Sequence, residues 1–90
     1  MLNVLLVSVL NTGDKLYWKG GIYDIVHTSD SRYDLVIKHT NKHGDKLMYW
    51  LDKVYITRND YTEHYYRVCN SRGEYVDKIE KYQFNIVVTQ

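Results

Sequence analysis

Four histidines are the first residues to weigh for chemistry. His39 and His43 stand four apart, Asp45 follows closely, and His27 falls on a neighbouring strand-like run. Imidazole and carboxylate can ligate zinc, but a zinc site needs three or four ligands at tetrahedral distances. The cysteine pair that usually completes such spacing is missing, because Cys69 is the single cysteine. The two loop histidines therefore read as solvated side chains, and His64 as an isolated strand histidine. Asp24 and Asp34 are the carboxylates that facing strands could bring together for acid–base work. A domain of this size has little room for a deep pocket around them. No GxSxG elbow positions a serine nucleophile, and Gly20-Gly21 reads as a turn rather than a phosphate cradle. Cys69, among apolar neighbours, reads as a small core residue. The expectation is a protein that is not an enzyme and uses no metal or cofactor.

What remains is a mixture of aromatic and basic side chains. Tyr17 shares the outer face of a first hairpin with Lys15 and Lys19, and Trp18 sits beside them in sequence. Lys38, His39, Lys42, His43 and Lys46 gather around the next hairpin loop, with Trp50 on the outer side of the strand that follows. Rings stack on bases while lysine screens phosphate, so this set suits RNA or single-stranded DNA. Tyr, Trp and Arg also anchor protein interfaces, where mixed charge is ordinary. Twelve basic residues oppose eleven acidic ones, whereas a dedicated nucleic-acid binder is usually clearly basic. Tyr61, Tyr65, Tyr66, Tyr75 and Tyr82 crowd the last third, more than one small core holds. Exposed aromatic surface, and a partner for it, are expected.

The elements that must position these residues are strands. Gly13–His27 places strand-like runs on either side of Gly20-Gly21, a pair that tolerates the positive φ of a two-residue hairpin turn. That turn sets Trp18 opposite Tyr23 and Leu16 opposite Ile25, with all four on one side. Residues 2–10 (LNVLLVSVL) do not alternate, so they read as a strand buried on both faces, central or covered by another element or subunit. Left bare at an edge, such a run would aggregate.

Further along, Arg32–His39 alternates, with Tyr33, Leu35 and Ile37 on one face. Thr40–Asp45 is a loop. Lys46–Leu51 follows with Leu47, Tyr49 and Leu51 inward, and a change of phase at Asp52-Lys53 predicts a kink before Val54–Thr57. Tyr61–Cys69 and Phe84–Thr89 read as strands, with a turn at Asn70–Gly73. Glu74–Phe84 reads as a strand with a short helical turn, placing any helix near residues 76–83. Tyr33–Ile56 and Tyr66–Ile86 share a strand–loop–strand plan, as many small sheets do.

Ninety residues make one domain, 1–90, with one modest core. The chain has ten Tyr, two Trp and no Ala. Those residues suit a pleated surface, and the best helix former is absent. The expected class is all-β, folded as a small antiparallel barrel or roll. The early Gly13-Asp14, the Tyr17-Trp18 pair, the Gly-centred hairpin and the Trp50-containing strand before a kink resemble SH3-like and KOW-like small barrels. That resemblance implies binding of RNA, ribosomal partners, peptides or proteins rather than catalysis.

The lack of Ala and Pro beside abundant Asn, Lys, Tyr and Ile points to an AT-rich genome, that of a bacteriophage or a low-GC bacterium. One lone cysteine points to a reducing cytoplasm, the host's if the chain is phage-encoded. The apolar N-terminus is too short to span a bilayer as a helix and lacks the basic and small-residue marks of a leader. The leading expectation is a non-enzymatic protein-interaction module that inhibits or modulates a host protein by surface binding, with homodimerisation through residues 2–10 as a second use of its surface. The alternative is a nucleic-acid-binding barrel using Lys38, Lys42, Lys46, Tyr17 and Trp50.

Overall fold

The computed structural model describes residues 2–88. Among these, eight strands form one antiparallel sheet: β1 (Val4–Leu6), β2 (Lys15–Trp18), β3 (Gly21–Val26), β4 (Leu35–Thr40), β5 (Lys46–Arg58), β6 (Tyr61–Cys69), β7 (Tyr75–Glu80) and β8 (Asn85–Val87). A 3₁₀ turn, Lys81–Gln83, joins β7 to β8, so the expected strand with a short helical turn is present. The spatial order is β1-β8-β2-β3-β4-β5-β6-β7. Successive hairpins build the middle of the sheet, and the last strand returns to lie between the first two.

The sheet curls around one core but does not close into a barrel. After Glu80 the 3₁₀ turn carries the chain across to β2, where β8 pairs with Leu16 and Tyr17. That leaves β7 without a backbone partner on its outer edge, and an ion pair links its Asp77 to Lys19 in the turn after β2. The SH3-like closure expected from residues 13–56 is absent for this reason. The concave face holds Leu16, Tyr23, Ile25, Ile37, Leu51, Val68, Ile79 and Phe84 in one apolar cluster.

The first hairpin turns one residue earlier than Gly20-Gly21. Lys19 and Gly20 both have positive φ, 50° and 75°, as a two-residue type I′ turn demands. Trp18 therefore faces Gly21, and Leu16 faces Tyr23. The register differs from the expected one by two residues, an even number, so Leu16, Trp18, Tyr23 and Ile25 still share the inner face. Gly21 is where a larger residue would crowd a neighbour: a Cβ there would stand 3.2 Å from the His39 ring, which would have to give by a few tenths of an ångström.

Two further expectations are corrected. Residues 2–10 do not form a central strand. Only Val4–Leu6 pair, with β8, and they form an edge of the sheet. Leu10 is buried, whereas Leu2, Val4, Leu5, Leu6 and Val9 are exposed. The continuous apolar run reflects a bare edge rather than two covered faces. Nor is there a break at Asp52-Lys53: β5 runs without interruption and exchanges partners, β4 as far as Leu51 and β6 from Trp50 onward. The hydrophobic phase changes because the strand outgrows the core. Lys53 and Tyr55 continue the inner face of Leu51 into a two-stranded arm that projects past β4 and past the Tyr65–Glu80 pair that begins β7's pairing.

The loops Asn41–Asp45 and Asn70–Glu74 are built alike. In each, the Asn side-chain oxygen accepts the backbone N–H groups two and four residues on, at 2.9 and 3.0 Å. The glycine, Gly44 or Gly73, supplies the positive φ that completes the turn.

Candidate functional site

The second-hairpin residues separate by strand parity. The register Asp24–Lys38–Met48 across β3, β4 and β5 puts these three on the outer face. With Ile22, Thr40 and Lys46 they line a groove of about 510 Å³. Ile22 and Met48 present exposed aliphatic carbon, and Lys38 and Lys46 supply two ammonium groups. Asp24 is held by Lys15 across the first hairpin, which leaves the lysines to set the sign of the groove. Lys42 and His43 stay in the exposed Asn41–Asp45 loop at its end.

His39 belongs mainly to the inner face. Its ring lies 4.9 Å from that of Tyr23, and Nδ1 donates to the Ile22 carbonyl at 2.8 Å. This bond fixes the ring over Gly21 and the back of the groove. Trp18 is also an inner residue, half-buried, with ring centroids 5.5 Å from Tyr23 and 5.7 Å from Tyr49 in edge-on contact. The Lys19 ammonium rests 5.1 Å above the Trp18 ring. The nearby Asp77 carboxylate, by hydrogen bonding, raises the Lys19 pKa and is itself lowered in return. Tyr17 sits on the outer side of β2 in a separate hollow with Asp77, Lys78 and Asn85.

Trp50 is half-buried on the outer face, level with buried Val36 and Cys69 on its neighbouring strands. With Tyr33, Arg32 and Arg72 it lines a small hollow of about 180 Å³. Arg32 is engaged by Asp30, whose carboxyl is held down at about 2 by hydrogen bonds from the Arg32 side chain and backbone. The sequence-predicted residues thus fall into four places: the outer groove with its end loop, the inner aromatic cluster, the Tyr17 hollow and the Trp50 hollow. Ile22, Asp24, Thr40 and Met48 were missed as groove residues. Their signal is the two-residue alternation of three strands, which identifies a shared face only once the register is known.

Comparison of the chain with protein-family models, curated proteins and solved structures finds no match.

No group of three or more His, Cys, Asp or Glu side chains among the described residues is close enough to hold a metal ion. No helix there is long and apolar enough to cross a membrane. His64 has the one side-chain nitrogen, among the described residues, that is shut from solvent without a hydrogen-bond partner, Nε2. It lies among the rings of Phe84, Tyr66 and Tyr55, at 5.6, 6.0 and 6.1 Å. Desolvation lowers its pKa, with Lys53 and Lys81 adding repulsion and the Ser8 backbone opposing them. A histidine lowered on folding binds fewer protons in the native state than in the unfolded one, so its contribution favours the fold at high pH. That contribution fades as pH falls below the unfolded value of about 6.5. His64→Phe should remove this acid-side loss and add about 1 kcal/mol by eliminating an unsatisfied polar atom. Melting curves of both proteins between pH 7 and pH 5 check this: the wild-type curve should drop more steeply.

Proposed function

We propose that the chain is a non-enzymatic protein-interaction module, acting as an inhibitor or modulator by surface binding in the cytoplasm, that of the host if the chain is phage-encoded. The observation that carries this reading is the outer groove, where exposed Ile22 and Met48 share one face with Lys38 and Lys46, Met48 lying beside both lysines. Aliphatic carbon flanked by ammonium groups suits a partner segment that inserts an apolar side chain between carboxylates. The half-open, barrel-like curl of the sheet belongs to the same reading, because pairing sets β3, β4 and β5 side by side beneath the groove.

The nucleic-acid alternative asks for rings beside the lysines. No Tyr or Trp lines the groove; Tyr17 and Trp50 face other hollows. What favours that alternative is the Trp50 hollow itself, where Arg32 and Arg72 flank an indole and a phenol.

One experiment addresses both. Tagged wild type, Met48→Glu and the Lys38→Glu/Lys46→Glu double variant are used for capture from a bacterial lysate with and without nuclease. The expected result is a stoichiometric protein that survives nuclease, with affinity weakened about 30-fold or more in either variant. Capture that vanishes with nuclease and falls steeply with salt would replace the protein reading with the nucleic-acid one. Undiminished capture by both variants would remove the groove from the interface.

A further inference from the structure

The two edges of the sheet are treated differently. β7 carries Asp77, Lys78 and Glu80, two of them tied in the pair Lys78–Glu80, and its pairing with β6 is interrupted by a bulge at Val68/Cys69. Charges and bulges are how an edge is kept from pairing with another chain. β1 has neither. No charged side chain occurs between residues 1 and 13, and Val4, Leu5 and Leu6 are 44, 57 and 55% exposed.

The open backbone groups of β1 can be assigned. Val7 N–H donates to the Phe84 carbonyl at 2.8 Å, and Val88 N–H donates to the Asn3 carbonyl at 2.9 Å. Hydrogen-bonded pairs alternate along an antiparallel ladder. Residues 3, 5 and 7 therefore face β8, and the N–H and C=O groups of Val4 and Leu6 point away from it.

We propose that β1 pairs with β1 of a second copy, antiparallel and two-fold about Leu5, joining the two sheets edge to edge. In that register Val4 of each copy meets Leu6 of the other as a hydrogen-bonded pair, which satisfies the open groups of both strands. Leu5 meets its own counterpart as the close, non-hydrogen-bonded pair. The contact is self-complementary and closed, as a two-fold dimer requires. Pairing of β1 with β7 of another copy would instead set leucines against charges and leave open ends that grow into fibres. Absence of charge along the strand removes the like-charge repulsion that would oppose a two-fold contact. Three apolar residues and their neighbours cover less than the roughly 800 Å² per partner of a standard interface, so the dimer dissociates on dilution through the micromolar range. This proposal does not rest on the groove, which lies on β3, β4 and β5.

The test is sedimentation equilibrium of wild type, Leu5→Lys and Met48→Glu over a wide concentration range, together with oxidation of Leu5→Cys. Wild type and Met48→Glu should move from the 10.8 kDa monomer to twice that mass. Leu5→Lys, altered at an exposed position, should keep its fold and associate about a hundredfold more weakly. Facing residues of a non-hydrogen-bonded pair lie about 4.5 Å apart at Cα, within disulfide range, so Leu5→Cys should cross-link under mild oxidation. Val9→Cys, also exposed but beyond β1, should not. A wild type that stays monomeric throughout overturns the proposal. So does a dimer that persists in Leu5→Lys, or a Val9→Cys protein that cross-links as readily as Leu5→Cys. A dimer abolished by Met48→Glu alone would place the contact on the groove and overturn it as well. If Leu5→Lys fails to fold, the contrast between the two cysteine variants decides.

Discussion

Phe84→Ala should cost about 3–5 kcal/mol, the range for removing a large aromatic side chain from a packed interior. Small domains hold only 5–15 kcal/mol in total, so the variant should lose a large share of its stability and unfold at a much lower urea concentration than wild type. Phe84 has no exposed surface. Its ring lies 5.5 Å from that of Tyr66 and 5.6 Å from that of His64, and its carbonyl receives the Val7 N–H. It sits where the 3₁₀ turn delivers the chain to β8, so the cavity opens beneath the strand that holds β1 and reaches β2. Urea denaturation followed by tryptophan fluorescence measures the effect. A loss below about 1 kcal/mol would contradict the packing described, since even conservative core truncations reach that size.

Trp18→Ala should be the second-largest change, about 2–3 kcal/mol, because the residue is half-buried rather than enclosed. Its indole is the hub of the cluster formed with Tyr23 and Tyr49, and Lys19 covers its outer side. Removing it loosens the cluster beside the Lys19–Asp77 ion pair. Trp18→Phe should recover most of the loss, because a phenyl ring keeps the edge-on contacts. Equal stability of the alanine and phenylalanine variants in the same denaturation assay would argue that the cluster contributes little. The effect bears on any binding experiment: reduced capture by a Trp18 variant reports a damaged platform until stability has been measured.

Face assignment was legible in the sequence wherever strands alternate against the core. Leu35, Ile37, Leu47, Tyr49 and Leu51 all turn inward as their spacing predicts, whereas Tyr33, expected on the same face, precedes β4 and lines the Trp50 hollow instead. The first hairpin kept its faces despite a displaced turn, because a slip of two residues preserves parity. The displacement itself came from Lys19, which takes a left-handed conformation that Gly21 was expected to supply. Exposure was the weaker inference. A run such as Val4-Leu5-Leu6 has the same composition whether it lies at the centre of a sheet or along its rim, and local pattern contains no information about which strand lies beside it. The same blindness produced the expected kink at Asp52, where the chain only leaves the neighbourhood of the core. The groove was half legible: Lys38 and Lys46 stood out as charges, but Ile22 and Met48 join them only through pairing across three strands.

The strand order also dictates a sequence of events. From β2 to β7 every neighbouring pair is adjacent in the chain, so those strands can zip together through short loops at small entropic cost. β8 alone must come back from the far end, Ile86 meeting Leu16 and Leu5. Long loop closures of this kind come late, because their entropy is lost before any contact compensates it. The topology therefore predicts that β8 arrives last, and that until then residues 2–10, the most apolar stretch of the chain, have no strand of their own molecule to pair with.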